Sequence, residues 1–67
     1  MTVGTQVMTT IASLKSAQAS FETFALGTEN KGAKQLYQDA AKQTQSIIDS
    51  IEPRLQEIQD EEPQYKQ

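Results

Sequence analysis

Between Val3 and Glu52 the chain has no proline, and its apolar residues return every three or four positions in two runs that part at Leu26-Gly27-Thr28. Val3, Val7, Ile11, Leu14, Ala17, Phe21 and Phe24 make the first series. At about 100° per residue this spacing lines one face of an α-helix, and the alternation expected of a strand is missing. The second series is Ala33, Leu36, Tyr37, Ala40, Thr44, Ile47, Ile48 and Ile51, and it passes Pro53 in phase through Leu55 and Ile58. The pattern predicts an all-α, single-domain antiparallel hairpin. Its parts are a helix over about 3–26, a turn at 27–28, a helix over about 29–52, a helical continuation over about 53–62 and a tail at 63–67.

Local chemistry supports those boundaries. Gly27 suits the left-handed conformation that ends many helices. Thr28 suits the N-cap of the second helix, and Glu29 suits its positive end. Gly32 weakens the first turn by about 1 kcal/mol relative to Ala. Pro53 removes one hydrogen bond and crowds the carbonyl of Asp49, so the helix either kinks there or restarts with Pro53 at its first position.

Folding the two runs about residues 27–28 sets Phe21 against Leu36, Leu14 against Ala40 or Ala41, Ile11 against Thr44, Val7 against Ile47 or Ile48, and Val3 against Ile51. The expected hairpin core is Val7, Ile11, Leu14, Phe21, Phe24, Leu36, Ala40, Ile47 and Ile51. Leu55 and Ile58 then lie beyond the start of the first helix, and must fold back or meet another chain. Gln18 and Thr44 border the stripes, either as buried polar groups that fix register or as edge residues that reach water.

Sixty-seven residues form one domain with a marginal core. The chain has no Cys and no His, so disulfides and Cys/His zinc sites are excluded and oligomerisation is the remaining support. The first helix carries only Lys15 and Glu22 as charges; its other polar positions are Ser, Thr and Gln. Such a helix can be packed on two sides, and Ala12 and Ala19, one heptad apart, allow close approach. The expected interface is Met8, Ala12, Ala19, Leu55 and Ile58, pairing two hairpins into a dimeric four-helix bundle.

The net charge is −3, from 6 basic and 9 acidic residues, and no basic block is present. That balance speaks against nucleic acid and against an anionic membrane surface. No run reaches the roughly 20 apolar residues of a bilayer span, so no direct membrane insertion is expected. The opening MTVGTQVMTTIASLK has neither a basic n-region nor a continuous apolar stretch, which points to the cytoplasm. No nucleophile has a base at reach: Lys15 and Ser16 are adjacent and point apart on a helix. The carboxylates fall mostly off the apolar stripe, and a Glu-x-x-His motif is impossible without His. The glycines are isolated, so no phosphate loop is encoded. Neither catalytic residues nor metal or cofactor ligands are expected. Tyr65 in the tail is the one aromatic placed to dock a partner.

The phrases ASLKSAQASFETFALGTEN, AKQLYQDAAKQT and IIDSIEPRLQEIQDEEPQYK, with the opening MTVGTQV, resemble the small proteins of endospore-forming bacteria grouped as domain of unknown function number 1657. The resemblance covers essentially the whole chain. It implies a small all-helical protein linked to sporulation, with genes beside those for spore membrane proteins of the dipicolinic-acid channel group. It implies no enzymatic activity and supplies no catalytic residue. The family commonly has an acidic residue three positions after the capping Thr, where this chain has Lys31. The resulting expectation is a non-enzymatic, self-associating helical bundle of the cytoplasm, forespore or spore. One rival is an adaptor docking on a larger, spore-membrane partner through Leu55 and Ile58. The other is a carboxylate metal-binding bundle.

Overall fold

A computed structural model of the chain describes residues 3–61, which form two α-helices, α1 (Val3–Gly27) and α2 (Lys31–Glu61), joined by residues 28–30. The expected end of the helical continuation at 62, the tail at 63–67 and Tyr65 lie outside the described residues. The first helix matches its expected span to one residue. The second begins two residues late and runs through Pro53 as one element, so no new helix starts there.

The connection is built differently from the expected Gly27–Thr28 turn. Gly27 is the last residue of α1 and has no positive φ. The Thr28 N–H donates to the Phe24 carbonyl at 3.1 Å, which carries the helical ladder one residue further. Asn30, rather than Thr28, caps α2: its Oδ1 accepts from the Ala33 N–H at 2.7 Å, and its carbonyl accepts from the Lys34 N–H at 2.9 Å. Thr28 supports the cap indirectly, since its Oγ1 accepts from the Asn30 N–H at 3.2 Å.

Burial follows two stripes with steps of three and four. On α1 the buried or half-buried positions are Gly4, Val7, Ile11, Leu14, Gln18, Phe21 and Ala25. On α2 they include Tyr37, Ala41, Thr44, Ile48, Ile51, Leu55 and Ile58. This alternation is the seam of two helices crossing at a shallow angle. Matched from the loop outward, the stripes set Phe21 level with Ala41, Leu14 with Ile48, Ile11 with Ile51, Val7 with Leu55 and Gly4 with Ile58. Two contacts across the hairpin agree with that order. Phe24 meets Tyr37 edge to face with ring centroids 5.6 Å apart, and Lys15 Nζ lies 3.3 Å from Glu52 Oε2.

The register therefore differs from the expected one by about two helical turns. The chain runs on through residues 28–30 and turns back at the start of α2, not at Gly27. Three residues expected in the core are consequently on the outside: Phe24 is 50% exposed, Leu36 64% and Ile47 48%. Ile48, one position on from Ile47, takes the inward place and is fully buried. The same shift provides for the far end of α2. Ile58, expected to lack an intrachain partner, is only 7% exposed, and Leu55 is half-buried. Val7, Leu14, Phe21, Ala40 and Ile51 are half-buried, and Ile11 is buried.

The resulting molecule is a rod. Its Cα extents are 50 × 17 × 11 Å and its radius of gyration is 15.3 Å, whereas a globular chain of this length has about 11 Å. Among the described residues the buried apolar side chains are Ile11, Ala25, Ala41, Ile48 and Ile58.

Candidate functional site

The surface of the rod divides into two flanks, one on each side of the seam. The rotation of about 100° per residue puts Met8, Lys15 and Glu22 of α1 on the same flank as Gln38, Gln45 and Glu52 of α2. The Lys15–Glu52 ion pair bridges this flank. Both partners are about half exposed, so the pair contributes little to stability. A shallow groove opens on the same side near the loop, between Gln18, Glu22 and Leu26 of α1 and Lys34, Gln38 and Lys42 of α2.

The opposite flank carries Val3, Thr10, Ala17 and Phe24 from α1, and Ala33, Leu36, Ala40, Ile47, Arg54 and Glu61 from α2. Its large apolar members, Val3, Phe24, Leu36 and Ile47, are exposed, and Arg54 pairs with Glu57 and Glu61 at its open end. Phe24 is held in place on both sides, packing edge to face on Phe21 at 6.3 Å and on Tyr37 at 5.6 Å. An aromatic fixed in this way presents a stiff apolar surface to whatever meets it.

The exterior of α1 is chemically unusual for a solvated helix. Thr9, Thr10, Ser13, Ser20 and Thr23 each donate their hydroxyl to the carbonyl four residues back, at 3.0–3.2 Å. A hydroxyl bonded in this way already has its donor satisfied, and covering it leaves no orphan proton. The exterior of α2 is instead laced by side-chain pairs. Gln35, Gln45 and Gln56 donate to Asp39, Asp49 and Asp60 one turn on, and Arg54 reaches Glu57 and Glu61.

The interface expected from sequence is dispersed. Met8, Ala12 and Ala19 are exposed on α1, toward the Lys15 flank or the back of the helix, whereas Leu55 and Ile58 are turned into the seam. The structure does not bring these five together. Phe24, Leu36 and Ile47 stand out only after the register is known, because all three fit the three-four spacing as well as their inward neighbours do. Thr44 is buried with its hydroxyl on the Ala40 carbonyl at 2.7 Å, and Gln18 is half-buried at the edge of the groove.

Among the described residues no three acidic side chains gather as metal ligands would, and no helix is long and apolar enough to cross a membrane. No curated protein and no solved structure matches the chain. A family model matches residues 7–55, nearly the whole paired length of the hairpin, and by it the chain belongs to the protein family of unknown function DUF1657.

Proposed function

We propose that this chain is a non-enzymatic structural or interaction protein that acts by self-association, completing as an assembly of hairpins the core that one hairpin holds only in part. The observation that carries this reading is the flank with Phe24, Leu36 and Ile47 about half exposed or more, on a rod whose interior buries few apolar side chains. Exposed apolar groups at that density mark an interaction surface in a small protein. Two hairpins joined side by side make a four-helix bundle, the usual way for helical pairs to cover such a surface. The resemblance to the spore-former family supports a role in sporulation, in the cytoplasm or in the forespore, with no cofactor and no catalytic step.

Light scattering on the purified chain at micromolar concentration tests the reading. Twice the mass of one chain is the expected result. A monomer that gains helix only when another protein is added would favour the adaptor reading instead. The exposed Leu26 at the loop end, with 86% of its surface in water, is the feature that favours this alternative. Deletion of the gene in an endospore-forming host, followed by spore heat-resistance assays, tests the sporulation role.

A further inference from the structure

We draw no further inference here: the strongest candidate, the exposed apolar patch of Phe24, Leu36 and Ile47 on the flank that ends in the Arg54, Glu57 and Glu61 cluster, carries nothing because nothing in the structure shows what covers it.

Discussion

The outward sides of α1 and α2 are finished in different chemistries. α2 carries ten charged residues between Lys31 and Glu61, and its glutamines and carboxylates hydrogen-bond to one another in pairs one turn apart. α1 carries two, Lys15 and Glu22, and its hydroxyls bond to its own backbone. The α2 exterior keeps its charges only in water, because desolvating them would be expensive. The α1 exterior has little to lose on being covered. In a two-helix rod this asymmetry distinguishes the two backs: the back of α2 holds most of the charge, and the back of α1 holds little.

The comparison can be broken first at the layer both helices share. Among the described residues Ile48 is the only fully buried large side chain, and Ile48→Ala should destabilise the fold by about 2–5 kcal/mol. Urea titration of helicity would measure this; a loss under about 1 kcal/mol would mean that the seam is not where the two exteriors meet. Next in size is the contrast itself. A charge placed on α1, as in Ala17→Lys, should weaken association more than tenfold, whereas Ser46→Lys on the α2 exterior should leave it unchanged. Equal effects in sedimentation experiments would remove the asymmetry.

Smaller effects sharpen the connection between the helices. Asn30→Ala should cost about 1 kcal/mol through loss of the cap on Ala33, and Thr28→Ala should cost less, as the Thr28 hydroxyl accepts from the Asn30 N–H ahead of α2. The reverse ranking would restore Thr28 as the cap. Gly27→Ala should stabilise by about 0.5–1 kcal/mol, because Gly27 lacks a positive φ and has open space where a Cβ would stand. Destabilisation there would signal a left-handed helix end. Lys15→Met should change stability by less than about 0.5 kcal/mol, since the ion pair with Glu52 is exposed.

Much of this architecture is legible in the residues. The three-four periodicity locates α1 to within a residue and identifies an antiparallel hairpin. The register is not legible, for a physical reason. Ile47 and Ile48 are adjacent and chemically alike, and a stripe with apolar residues at both positions fits either choice of inward face. The loop supplies part of the decision, since Thr28 and Asn30 are both competent caps. Asn30 takes the role and α2 starts at Lys31; the choice of Ile48 over Ile47 as the inward residue accompanies it, and the partners of every seam residue move by about two turns. That single shift brings Leu55 and Ile58 into the hairpin and puts Phe24, Leu36 and Ile47 on its flank. The scarcity of charge on α1 is legible in the sequence, but the bonding of its hydroxyls to its own carbonyls depends on rotamers that the residue types leave open.

Sedimentation equilibrium over a hundredfold range of concentration, run on the unaltered chain beside a Phe24→Ser, Ile47→Ser double variant, tests the central claim most directly. The account predicts a dimer for the first and a helical monomer for the second. An unaltered chain that sediments as one copy throughout and unfolds in a single sharp transition would contradict it.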